Sequence, residues 1–248
     1  MFETPKSFAP YHARDRAFFL VFAALAWIAV IMGFGPEVDG QLKGRAPFPP
    51  LIVHVHAVIF VGWLVLFTAQ VWLISKRRPD IHRRLGAIAV VLVPVMVVLG
   101  VATTIVSRRL RFEAGVTEML AFMIVPLTDM ILFPSFAVPG LLRRTDSAAH
   151  KRLMLLATTM LLPAAYGRWI GPWINIHWGD GFLGFMAQSY LGPDMLILAA
   201  MLYDRITRGR VHLVYWLALP WILAVQLITS AIYHWPGWMP LAERIVGF

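Results

Sequence analysis

Seven apolar segments, each 18 residues or longer, run through the 248-residue chain. They are Ala17 to Phe34, Leu51 to Ile74, Leu85 to Val106, Val116 to Leu142, Leu153 to Ile170, Phe182 to Tyr203 and Val211 to Trp235. A helix rising 1.5 Å per residue needs about 20 residues to cross about 30 Å of hydrocarbon. Segments this long and this numerous cannot all be hidden inside a water-soluble globule. Composition agrees: 59% of residues are hydrophobic and 14% charged, against about 25% charged in ordinary soluble domains. The chain therefore reads as one all-α domain over residues 1–248, a polytopic membrane helix bundle with seven transmembrane helices. A soluble enzyme, a nucleic-acid-binding domain and a disordered tail are excluded.

Segment ends carry local detail. Gly35-Pro36-Glu37 follows the first apolar run with no small-x-small cleavage site, so that run reads as a retained helix ending there. The strongly apolar part of the sixth, Met195 to Tyr203, is too short to cross alone. Extending it back to Phe182 brings in Gln188, Gly192, Pro193 and Asp194. Gly192-Pro193 and Gly171-Pro172 are natural helix interruptions.

Charge sets the orientation. With a cytoplasmic N-terminus, the cytoplasmic pieces are residues 1–16, 75–84, 143–152 and 204–210, which hold 15 of the 22 Lys and Arg. The positive-inside bias then places the N-terminus in the cytoplasm and, after seven crossings, the C-terminus outside. The net charge of +9 thus reflects one membrane face. It implies anionic lipid headgroups as partners, not nucleic acid. A weak parallel repeat runs through this face. Asp80-Ile81-His82-Arg83-Arg84-Leu85 opens the third segment, and Asp146 with His150-Lys151-Arg152-Leu153 opens the fifth. A proline follows each at similar depth, Pro94 or Pro163. Asp80 and Asp146 are expected helix N-caps.

Ionisable groups in hydrocarbon are expensive and mark function by default. Three acids fall inside the proposed spans: Glu118, Asp129 and Asp194. Glu118 and Asp129 are eleven residues apart, close to three helical turns, so they share a face. Val53-His54-Val55-His56 opens the second span; both imidazoles can converge only if His54 precedes the helix proper. His54, His56, Asp129 and Asp194 make a chemically acceptable ligand set for zinc, iron or copper.

A haem reading uses histidines at matched depth. His56 with His234 would serve near the outer face, and His82 with His150, or His212, near the inner face. The chain has no cysteine, which excludes disulfides, thiolate metal sites, iron–sulfur clusters and c-type haem attachment. A haem here would be of the b type.

The strings HVHAVIFVGWLVLFTAQ, HRRLGAIAVVLVPVMVVLGVATT, VPLTDMILF, AHKRLMLLATTMLLPAA and YDRITRGRVH follow in order between about residues 50 and 215. Together they resemble a family of uncharacterised bacterial multi-pass membrane proteins. The resemblance implies a bacterial inner-membrane location. It places His56, His82, Asp129, His150, Asp194 and Tyr203-Asp204 inside the shared motifs, and implies no reaction. Three functions stay open: a metal- or haem-binding redox protein with a polar, histidine-containing site in the outer half; an accessory or assembly subunit of a larger membrane complex; and a small-solute or proton-coupled transporter. Whether the chain is an enzyme stays open with them.

Overall fold

The computed structural model describes residues 8–117 and 119–248, and every regular element among them is helical. Glu118 lies outside the described residues. Helix α1 spans Asp15–Leu42 and α2 spans Leu51–Ser75. Helices α3 (Pro79–Gly86) and α4 (Ile88–Glu113) join at Ala87, itself in helical conformation, into one 35-residue rod. A 3-10 turn, Ala121–Met123, leads into α5 (Ile124–Leu142). Then come α6 (Ser147–Thr159), α7 (Pro163–Trp169), α8 (Gly171–Trp178), α9 (Phe182–Arg208), α10 (Leu213–His234) and α11 (Trp238–Val246). Six of the helical stretches are long and apolar enough to cross a membrane: α1, α2, α3 with α4, the turn with α5, α9 and α10.

Several ends differ from the sequence expectation. Helix α1 does not stop at Gly35-Pro36 but runs through Pro36 to Leu42. Helix α9 likewise runs unbroken through Gly192 and Pro193. A proline removes one intrahelical donor, and neighbouring helices hold the chain on course. Asp146 is the N-cap of α6, accepting from the backbone N–H groups of Ala148 and Ala149. Asp80 is not a cap: it sits inside α3 and pairs with Arg78. There Pro79 occupies the first helical position, where a missing N–H costs nothing.

The fifth apolar segment is the one that fails as a single helix. It divides into α6 and α7 at Met160–Leu162, with Pro163 opening α7. The N–H groups of Leu161 and Leu162 donate to the carbonyls of Thr158 and Thr159, so the break keeps its backbone bonded. The flanking Leu155, Leu156, Thr159 and Met160 are buried, which is where irregular backbone is tolerated at membrane depth. Near its start, Lys151 pairs with Asp15 of α1. Further on, Ala165 of α7 packs directly on Gly33 of α1. Asp15 and Gly33 are separated by about 27 Å of helix rise. Helix α6 packs along α5 and α7 along α1, so the broken segment meets α1 at Lys151 and again at α7.

Apolar side chains face both ways. Phe22, Trp63, Met96, Phe133, Leu156 and Ile197 fill the interior. Val21, Ile28, Val58, Val91, Val98 and Leu217 stand exposed on the outside of the bundle, where lipid is their natural solvent. At the end opposite Asp15, α11 lays Trp238, Ala242 and Val246, four residues apart, over Leu120 and Met123. The Trp238 indole N–H donates to the Ala121 carbonyl at 2.8 Å.

Candidate functional site

Polar groups collect at three levels. The first lies at the Asp15 end, the inner end of the sequence reading. Arg152 of α6 and Asp204 of α9 form a two-armed ion pair, with one arm at 2.7 Å and both side chains 2% exposed. Arg152 also donates to the Ala148 carbonyl. Asp15 accepts from Lys151, Tyr203 and Arg208. The Phe8 ring lies against the guanidinium groups of Arg152, Arg208 and Arg210 and meets His212 edge-on. His212 caps α10: its Nδ1 accepts from the Val214 N–H at 3.1 Å. Burial and then the Arg152 charge push the His212 pKa below its ordinary value, against the pull of Asp204 and Asp146. The imidazole is thus held neutral, as an accepting cap requires.

This cluster alters the reading of the basic residues before α6 and at the end of α9. Arg152 and Arg208 are buried, so their partners are Asp204 and Asp15 rather than lipid headgroups. Cations beside the start of α6 oppose its dipole, and these two carboxylates supply the compensation.

The second level also lies towards this end, on α2, α3 and α6. The rings of His82 and His150 have centroids 6.2 Å apart and planes 87° apart. His150 Nδ1 lies 2.7 Å from the Gly140 carbonyl. His82 Nδ1 and Gln70 Oε1 are buried with no hydrogen-bond partner.

The third level occupies the half of the bundle nearer α11. Asp129 of α5 is 5% exposed, and its Oδ1 has no hydrogen-bond partner. Counted from Ala121, it sits about 12 Å of helix rise from the α11 end of the bundle. Next to it, Thr128 meets Thr229 of α10 through their hydroxyls at 3.0 Å. The buried Tyr190 side chain of α9 reaches the hydroxyls of both threonines. One turn along α9 and α10, the Gln226 amide donates to Asp194 at 2.9 Å. The hydroxyls of Thr103 and Ser189 are buried without a partner.

The remaining sequence candidates stay apart. Because α2 already begins at Leu51, His54 and His56 lie within the helix and diverge. His54 is exposed and close to the Pro50 carbonyl, whereas His56 stacks on Phe60 with its Nδ1 buried and unpartnered. His234 has its ring nitrogens turned to the carbonyls of Ser230 and Asp180, not towards His56. Among the described residues, no group of three or more His, Asp or Glu is arranged to hold a metal ion. His54, His56, Asp129 and Asp194 are thus not gathered into one ligand set. Sequence reasoning missed the Arg152–Asp204 pair and the Thr128–Thr229–Tyr190 group. The only signal for the former was the presence of HKR and YDR strings at two span ends.

Fold and polar interior together define an integral, multi-pass α-helical membrane protein. Compared with known proteins, the chain matches no protein-family model, no curated protein and no solved structure.

Proposed function

We propose that this is a seven-crossing, proton-coupled membrane protein in which Asp129 takes up and releases the proton. The observation that carries this reading is the Asp129 carboxyl, buried inside the bundle with an oxygen, Oδ1, that has no hydrogen-bond partner among the described residues. Leaving a buried acceptor unpaired costs about 1–3 kcal/mol, more for a charged group. An ionisable acid inside a membrane bundle is a functional-site hypothesis by default, and proton relay is among its recurrent uses. Thr128, the residue before Asp129, meets the hydroxyls of Thr229 and Tyr190, and hydroxyls can both donate and accept, as proton passage requires. The seventh crossing is α6 with α7, supported by the contacts of Lys151 with Asp15 and of Ala165 with Gly33, well separated along α1. The basic bias supports an N-terminus in the cytoplasm, and the motif resemblance supports a bacterial inner membrane. Exposed Arg83, Arg84, Arg143 and Arg144 are the residues left to meet anionic headgroups.

The test is infrared difference spectroscopy across a pH titration, combined with proton flux into dye-loaded liposomes under an imposed potential. The expected result is a titrating carboxylic-acid band, and a flux above that of empty liposomes. Both disappear in Asp129→Asn and return, with a shifted midpoint, in Asp129→Glu. A band and flux unchanged in Asp129→Asn, or no titrating carboxyl at all, overturns the reading.

A further inference from the structure

We infer that His82 and His150 are opposed imidazole ligands of a single transition-metal centre near the inner end of the bundle. This goes beyond the proton reading and uses none of its residues.

The geometry selects the coordination. A metal–nitrogen bond is about 2.0–2.1 Å and an imidazole nitrogen lies about 1.1 Å from its ring centre. Two imidazoles on opposite sides of one ion therefore have centroids about 6.3 Å apart, whereas a tetrahedral angle would bring them to about 5 Å. The observed separation is 6.2 Å. It matches the spacing of a trans pair, as in an axial pair on a square-planar or octahedral centre, and exceeds that of a tetrahedral site. Near-perpendicular ring planes, 87° apart, are compatible with such a pair because neither ring crowds the other.

The hydrogen bonds select the tautomer. His150 Nδ1 donates its proton to the Gly140 carbonyl at 2.7 Å. Its Nε2 is then the unprotonated nitrogen, and a backbone carbonyl behind the ring is the usual support of a ligating histidine. On the other side, His82 Nδ1 is buried without a partner. Gln70 on α2 adds a third donor: its Oε1 is also buried and unpartnered. Its amide lies so close to α3 that a Cβ on Gly86 would stand 3.0 Å from Nε2. Three elements far apart in sequence thus bring the His82 and His150 rings together, with buried polar atoms of His82 and Gln70 that have no hydrogen-bond partner among the described residues. Imidazole donors favour copper, nickel, iron and zinc, and the trans arrangement points to copper, nickel or iron. The same two ligands serve a free ion or the iron of a haem.

The test uses the full chain, purified without a polyhistidine tag, stripped with chelator, and titrated separately with Cu2+, Ni2+ and hemin. One equivalent of a centre should bind, and electron paramagnetic resonance of the Cu2+ or haem-iron form should show two coordinated imidazole nitrogens. A Soret band identifies haem; a bound ion without one identifies a free-ion site. His82→Ala and His150→Ala should each weaken binding at least tenfold. His177→Ala, an exposed histidine bonded only to the Trp173 carbonyl, and Asp129→Asn should bind as wild type. Binding that persists in the His82→Ala/His150→Ala double variant, a spectrum showing fewer than two imidazoles in the wild-type chain, or no binding of any of the three probes overturns the inference. The wild-type spectrum decides even where a variant fails to fold.

Discussion

Arg152 and Asp204 illustrate how much one pair can hold. Each is 2% exposed, and each is the other's compensation for leaving water. Removing one partner of a buried pair typically costs about 3–5 kcal/mol, whereas replacing both with apolar residues is often neutral. Asp204→Asn and Arg152→Met should each markedly lower the midpoint of thermal unfolding in detergent, and Arg152→Met/Asp204→Leu should recover most of that loss. Equal damage from single and double variants would mean that the pair's neighbours, Phe8 and Arg208, need the charges themselves. His212 gives a second prediction at this scale. Its folded-state pKa is depressed by burial and by Arg152. The unfolded chain therefore binds a proton more readily than the folded one. The contribution is fully present above the ordinary histidine pKa of about 6.5 and is lost as pH falls from there through the lowered folded value. Thermal midpoints should drop on acidification below about pH 6.5. The drop should be shallower in His212→Asn, which can cap α10 without titrating.

Two helix contacts depend on the absence of a side chain. A Cβ on Gly33 would collide with the backbone carbonyl of Ala165, which cannot rotate away as a side-chain tip can. A Cβ on Gly192 would strike the Tyr166 ring. Both glycines hold α7, the first against α1 and the second against α9. Inserting a methyl into packed contacts of this kind costs about 1–3 kcal/mol, so Gly33→Ala and Gly192→Ala should lower the thermal midpoint in detergent. Gly62→Ala meets nothing within 4 Å. It should be neutral or stabilising, because alanine is the better helix former by about 1 kcal/mol. Any larger effect at Gly62 than at Gly33 would place the tight interface elsewhere.

For the molecule as a whole, the number of crossings is the decisive quantity. The natural chain has no cysteine, so single cysteines report sidedness without background. Thr145 precedes α6 and Asp180 follows α8, and both are exposed. If α6 and α7 complete a crossing, Thr145→Cys and Asp180→Cys in oriented vesicles should react with an impermeant maleimide from opposite sides. Labelling of both from one side would make the broken segment re-entrant and leave six crossings.

Most of the helices were legible because hydrophobic length is a local property: Leu51 to Ile74 and Val211 to Trp235 nearly coincide with α2 and α10. Asp146 as a cap was legible for the same reason, its bonds reaching only three residues. The continuations through Pro36 and Pro193 were not, because proline's local preference yields to packing by neighbouring helices. Asp129 was visible as a misplaced acid. Its neighbours Thr229 and Tyr190 were not, since no local pattern links residues 101 positions apart, as Thr128 and Thr229 are. Apolar segment length by itself determined a helical membrane protein and the order of its long apolar helices along the chain. Only the tertiary structure decided which polar groups meet: Arg152 with Asp204, His82 with His150, and Asp129 with an Oδ1 that finds no hydrogen-bond partner among the described residues. The reason is physical. Solvent selects segments by their average character, whereas a buried polar atom is satisfied or left wanting by a few atoms that the chain brings in from elsewhere.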